Sequence, residues 1–110
     1  MDRAAITRFS IHWINLDPTI GCEIQKTRPA VILSPDEMNR HLGTVIIAPL
    51  TSTIRNYPFR LTIVVNKKQG QIALDQIRAI DISRIVSPLA VLNKKYQAEV
   101  LRVVQEMFAW

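Results

Sequence analysis

The apolar positions along the chain fall into runs of different kinds. Pro29 to Leu33 and Thr44 to Leu50 are continuous, the pattern of strands covered on both faces, and each is of strand length rather than helix length. Phe9 to Leu16 is rich in β-formers and sets Phe9, Ile11 and Trp13 on one face. Phe59 to Val65 alternates, with Phe59, Leu61, Ile63 and Val65 directed inward and Arg60, Thr62 and Val64 outward. Asn66 to Gly70 reads as a basic hairpin turn, and Gln71 to Ile82 supplies one bent strand or two short ones. Between the two continuous runs, Ser34-Pro35-Asp36-Glu37 offers an N-cap, a first-turn proline and an acidic first turn, which predicts a brief helix.

Near the end of the chain the period changes. After Asn93, a good N-cap, apolar residues fall at Tyr96, Val100, Val103, Val104, Met107 and Phe108, which is helical spacing. Five or more strands followed by one helix, with short links, predict a mainly β fold: a small antiparallel barrel or curled sheet capped by a C-terminal α-helix. No repeat, low-complexity tract or linker divides the chain. Residues 1–110 therefore read as one domain, with 1–7 as a loose N-terminal extension.

The connection from Asp17 to Thr27 interrupts this economy. It is about twice the usual length for a compact domain, and Asp17-Pro18 and Gly21 argue against a helix within it. Long polar connections of this kind are often functional. The charge distribution points the same way. Between Gln25 and Gly70 lie seven basic residues and two acidic ones, so this segment carries the whole net charge of +5. A localised positive field suits a polyanion such as nucleic acid, and it equally suits a basic surface that only keeps the protein in solution. The longest apolar run, Val45 to Leu50, is far too short for a membrane helix. The single cysteine, Cys22, excludes an internal disulfide, and a cytoplasmic protein without membrane association is expected.

Candidate chemistry is sparse. His12, His41 and Cys22 have no metal-ligand spacing, and His12 sits inside a predicted strand as a structural imidazole. The glycines are too scattered for a phosphate loop. What remains is Glu23, Arg28, Thr51-Ser52-Thr53 and Asp75-Gln76, each at or just beyond the end of a predicted strand. Carboxylate, guanidinium and hydroxyl groups gathered at one barrel rim suit phosphoryl transfer, because arginine holds two phosphate oxygens and threonine donates to a third. Arg28 could equally pair with Glu23 as a structural ion pair.

The stretch IHWINLDPTIGCEIQKTRPAVILSP resembles the opening of the MazF/PemK toxins, small endoribonucleases of bacterial type II toxin–antitoxin pairs. The likeness continues through VIIAPLTST, YPFRLTI and ALDQIRAID, over roughly residues 8–82. The resemblance implies an SH3-like barrel, a homodimer, and metal-independent cleavage of single-stranded mRNA by 2′-hydroxyl transesterification, with no cofactor. It implies that Arg28 and Thr51 hold and activate the scissile phosphate, with Glu23 as the base. The RNA-facing surface it implies comprises Thr19, Gly21, Lys26, Ser52, Thr53 and Arg55, with Asp75 and Gln76 helping to read the RNA. A cognate antitoxin with an acidic, partly disordered tail is the implied protein partner.

The chain departs from the family pattern in three places. Arg8-Phe9-Ser10 stands where R-G-[DE] is usual, and Cys22 and Ala73 occupy the positions of the proton-transfer histidine and arginine of the Kid toxin. Arg28 and Thr51 are accordingly the preferred catalytic pair. Two other readings compete: a DNA gyrase poison of the CcdB kind, which the aromatic end Met107-Phe108-Ala109-Trp110 loosely resembles, and a catalytically silent RNA- or antitoxin-binding relative.

Overall fold

The two continuous apolar runs become neighbouring strands at the centre of the sheet, and each buries side chains on both faces. In the computed structural model, which describes residues 3–110, these are β2 (Thr27–Ile32) and β3 (Thr44–Thr51). They pair antiparallel through Ala30–Pro49, Val31–Ala48 and Ile32–Ile47. Ala30, Ile32, Val45 and Ile47 point into one core cluster, together with Ile14, Leu16, Ile80 and Ile85. Val31 and Ala48 point into the other, together with Ile11, Ile63, Ile72 and Val100. Each large aliphatic side chain withdrawn in this way contributes roughly 1.5–3 kcal/mol, so this pair of strands is the most firmly held part of the molecule.

Five further strands complete an antiparallel sheet: β1 (Ser10–Asn15), β4 (Arg60–Val65), β5 (Lys68–Ala73), β6 (Arg78–Asp81) and β7 (Ile85–Val91). Their order is β4-β5-β3-β2-β1-β7, with β6 also pairing with β3. β3 divides its free edge between two partners. Thr44 to Ile47 pair with β6, while Leu50 and Thr51 pair with β5. A strand shared in this way curls the sheet into a half-barrel with one cluster on each side. The helix α2 (Lys94–Met107) closes the second cluster with Tyr96, Val100, Val103, Val104 and Met107, and the Asn93 side chain caps it by accepting from the Lys95 amide. The mainly β architecture with a C-terminal helix agrees with the sequence.

Several local expectations are corrected. Phe108 lies beyond the end of α2 and is exposed, as is Trp110, so the chain does not end in packed aromatics. The run Ile85–Val91, which has no clear period, forms the edge strand β7. In β4, Leu61, Ile63 and Val65 face the core as expected, but Phe59 is 38% exposed and Arg60 is the covered residue, its side chain 7% exposed against Asp75. The hairpin turn is only Asn66-Lys67, both at positive φ, and Lys68 already belongs to β5. Ser34 does not cap α1 (Asp36–His41). Its hydroxyl donates to Asn39 Oδ1 at 2.6 Å and accepts from the Ile46 amide, joining α1 to β3. The extension expected over 1–7 is docked from Arg3 onward. Arg3 to Ala5 form a 3₁₀ turn, Arg3 donates to the Arg40 carbonyl and Ile6 is buried; residues 1 and 2 lie outside the described residues.

His12 is fully buried in β1, as the sequence suggested. The Ser10 hydroxyl donates to the Thr7 carbonyl at 2.6 Å, so its contact of 2.9 Å with His12 Nε2 makes the imidazole the donor there. Burial pushes the His12 pKa below its ordinary 6.5, with the Ala5 backbone opposing in part. Above 6.5 both states are neutral and this contribution to stability is complete. As pH falls below 6.5 the unfolded chain binds a proton that the buried ring refuses, and stability declines toward the lowered folded value. Urea midpoints measured between about pH 7.5 and pH 5 should fall accordingly, and His12→Gln should flatten that dependence. An unchanged slope in the variant would place the pH sensitivity elsewhere.

Candidate active site

The site grows out of the register of the central strands. The β2–β3 ladder ends at Ala30–Pro49, and two residues further along each strand come Arg28 and Thr51. Continuation of that register would set both on the face of Pro49 at one rim, and both line one cavity there. Arg28 is half-buried, and its Nε donates to the Gln25 carbonyl at 2.9 Å, which fixes the root of the guanidinium. Thr51 is 9% exposed, and its Oγ1 accepts from the Thr53 amide at 3.2 Å, turning the chain out of β3.

Two cavities open on either side of this pair. The first, of about 460 Å³, touches Arg28, Thr51, Lys26, Ser52 and Lys68 on its polar side. Its apolar side is built by Trp13, Leu50, Ile63, Val65 and Leu89. No carboxylate lines it among the described residues, so its field is wholly positive. The second cavity, of about 400 Å³, is lined by Cys22, Glu23, Asp75, Gln76 and Arg78 around Leu16 and Pro49. Arg28 and Thr51 border the first cavity, and Pro49, two residues before Thr51 in β3, borders the second.

The long connection is ordered by polar contacts rather than by an apolar core. Asp17 Oδ1 accepts from the Lys26 amide at 3.0 Å, and the Leu16 amide donates to the Lys26 carbonyl, closing the loop at its base. Glu23 accepts from the Ile20 amide at 2.7 Å and shapes the tip. Gln76 accepts from the Ile24 amide at 2.7 Å, Arg78 donates to the Leu16 carbonyl at 3.1 Å, and Arg84 donates to the Asn15 and Asp17 carbonyls. The loop is thus held against the 3₁₀ turn Leu74–Gln76 and β6.

The sequence-derived residues separate into groups. Arg28, Thr51, Lys26 and Ser52 come together at the first cavity. Glu23, Asp75 and Gln76 come together at the second, so Glu23 does not share the cavity of Arg28 and Thr51. The expected Arg28–Glu23 ion pair is not among the salt bridges of the described residues. Asp75 is engaged by Arg60, whose Nε and Nη2 reach its two oxygens at 2.6 and 3.1 Å beside the Tyr57 ring. Thr19, Gly21, Thr53 and Arg55 line neither cavity. The Arg55 backbone is clamped at both N–H and C=O by the buried amide of Gln71. Among the described residues no three His, Cys, Asp or Glu side chains gather in a way that could hold a metal ion.

Sequence reasoning did not single out Trp13, Gly70, Gln71 or Arg78 as site residues. Trp13 follows the expected face of β1 but reaches the open end of the core, where it is 38% exposed at the cavity. Gly70 lies so close to β3 that a Cβ there would meet the Thr51 carbonyl oxygen at 2.9 Å.

Comparison with known proteins identifies the family. A family model described as the PemK-like, MazF-like toxin of type II toxin-antitoxin systems matches residues 7–108, and the chain belongs to that family. The endoribonuclease toxin MazF of Escherichia coli K12 is 35% identical over 68 residues, 62% of this chain and 61% of that protein. The chain therefore matches less than two thirds of that relative's length. The endoribonuclease MazF of Staphylococcus saprophyticus is 31% identical over 99 residues, 84% of this chain and 82% of that one. Among solved structures, MazF from Deinococcus radiodurans superposes with a TM-score of 0.82 at 30% identity, covering 92% of this chain and 94% of that one. A MazE–MazF structure from the same organism gives 0.76 at 25% identity, covering 94% of both chains.

The contact at Gly70 generates a test of the pair. In Gly70→Ala the added methyl displaces the Thr51 carbonyl rather than a flexible side chain, so Thr51 moves relative to Arg28. Relief of that contact takes a shift of a few tenths of an ångström, and a positioned reaction is sensitive to shifts well below 1 Å. The ribonuclease activity proposed below should fall by about tenfold while circular dichroism and the helix signal are kept. Full activity would mean that the position of Thr51 is not critical.

Proposed function

We propose that this protein is the toxin of a type II toxin–antitoxin pair and an endoribonuclease that cuts single-stranded mRNA. The observation that carries the reading is the placement of Arg28 and Thr51 at one register on a rim whose first cavity is lined by cations and no carboxylate. Membership of the toxin family and the endoribonuclease names of the MazF relatives support it. A cytoplasmic site of action follows from an mRNA substrate.

In the proposed reaction the ribose 2′-hydroxyl gives its proton to solvent as its oxygen attacks the adjacent phosphorus, the 5′-oxygen leaves and takes a proton from solvent, and a cyclic phosphate and a free 5′-hydroxyl result. Negative charge builds on the phosphoryl oxygens in the transition state. Arg28 meets it with a planar donor pair, already oriented through its Gln25 contact. Thr51 donates its hydroxyl to a phosphoryl oxygen and fixes the phosphate for in-line attack. The strand passes from one cavity to the other, so the nucleotides flanking the cut fall into the two cavities. Glu23 then meets the nucleotide on the second side.

A homodimer and an antitoxin with an acidic tail are proposed with the same reading. The structural neighbours include MazE–MazF structures and an endoribonuclease in complex with its cognate antitoxin. A disordered acidic segment can wrap a cationic rim and exclude RNA. Light scattering at micromolar concentration and inhibition by an acidic antitoxin peptide check the two partners.

Arg28→Ala should lower kcat/KM by about a thousandfold or more, and Arg28→Lys should recover little because it lacks the planar fork. An RNA with one deoxynucleotide 5′ of the mapped cut should bind and stay whole, and chelator should not slow the all-ribose substrate. Cleavage of the deoxy strand, or rescue of chelated protein by magnesium, would overturn the mechanism. Glu23→Gln separates two roles. Placed on the second cavity, Glu23 should affect KM more than kcat. Loss of kcat together with the acidic limb of the pH–rate profile would instead make it the base.

A further inference from the structure

The first cavity is larger than a phosphate site requires, and most of its wall is apolar. Trp13 stands at its mouth. The ring follows Phe9 and Ile11 on their face of β1, but the core ends before it does, and the indole is 38% exposed rather than packed. Trp13 pairs with Pro29 across the β1–β2 ladder, so it lies one residue from Arg28 in register. Ile63, Val65 and Leu89 supply an aliphatic floor, while Lys26, Arg28 and Lys68 supply three positive charges with no acidic side chain among them. Amides of Asn66 and Gln69 complete the rim. A planar aromatic ring, cations spaced along one wall and amide donors and acceptors are together the features that hold a single-stranded nucleotide: stacking for the base, charge for its phosphates and amides for its edge. An apolar peptide anchor would use the floor but leave those amides unmatched.

We propose that Trp13 is the stacking platform for the base on one side of the cut, with the first cavity as that nucleotide's subsite. The inference rests on the ribonuclease reading for the identity of the strand, but not for the stacking itself. Trp13 acts by binding and positioning; it contributes no proton and no charge to the reacting phosphate.

The chain has two tryptophans, and the second, Trp110, is fully exposed at the C-terminus. In Trp110→Phe the emission therefore reports Trp13 alone, with no substitution at the site. Titration with random-sequence single-stranded DNA of about ten nucleotides, which offers bases and phosphates but no 2′-hydroxyl, should quench that emission. Trp13→Ala should raise KM for RNA by about fivefold to a hundredfold with kcat nearly kept, and Trp13→Phe should restore most of the loss. Quenching in a protein that cuts no RNA would sustain the stacking site and overturn the nuclease reading. Absence of quenching in a protein that does cut RNA would do the reverse. A wild-type KM in Trp13→Ala, or emission that answers to polyglutamate and not to DNA, would also overturn the proposal.

Discussion

The double-sided burial of β2 and β3 is the constraint on which the site depends. A strand with one wet face can slip in register at the cost of repacking only the other face. Here a one-residue slip would send Val31 and Ala48 into the cluster that holds Ala30, Ile32 and Ile47, and the reverse. Neither core has room for that exchange, because all five side chains are fully buried. The register is therefore fixed by packing, and Arg28 and Thr51 inherit it as the next outward pair of a rigid ladder. Precision at the rim is a by-product of the aliphatic interior.

Around this frame the loops are held by a different kind of interaction. Gln71 grips the β3–β4 connection through both backbone groups of Arg55, and Gln76 holds the long β1–β2 loop at Ile24. Arg78 and Arg84 bind carbonyls at the start of that loop. A buried amide is costly unless satisfied, and Gln71 is satisfied by the Arg55 backbone, while the half-buried Gln76, Arg78 and Arg84 bind backbone groups of the long loop and its base. The loops around the candidate site are ordered without being apolar, so their surface remains open to a polar ligand.

Much of this was legible in the sequence. Continuous apolar runs announced the two central strands, the Asn93 cap and helical spacing announced α2, and Arg28 against Pro29 marked the end of a strand. The misses have physical causes. β7 carries Pro88 and mixed burial along an edge, so it lacks a clear period. Phe59 and Arg60 exchanged roles because Arg60 finds Asp75 and Tyr57, partners that no local pattern encodes. The clamps of Gln71, Gln76 and Arg78 join residues up to 62 positions apart, beyond any motif. Trp13 was placed on the correct face but not at the cavity, since alternation cannot say where a core ends.

The three cations on the otherwise apolar wall of the first cavity have a thermodynamic side. Lys26, Arg28 and Lys68 sit around one space with no anion among its lining residues to offset them. Their mutual repulsion is a tension that folding must hold in place, and any polyanion that enters relaxes it. The folded state is then favoured in proportion to how tightly that guest binds. A nucleic acid strand and an acidic protein tail would draw on the same relief, and the space cannot be relaxed twice. Under the proposed function, substrate and inhibitor would compete for the same cations, so the charges proposed to hold RNA would also let a protein displace it.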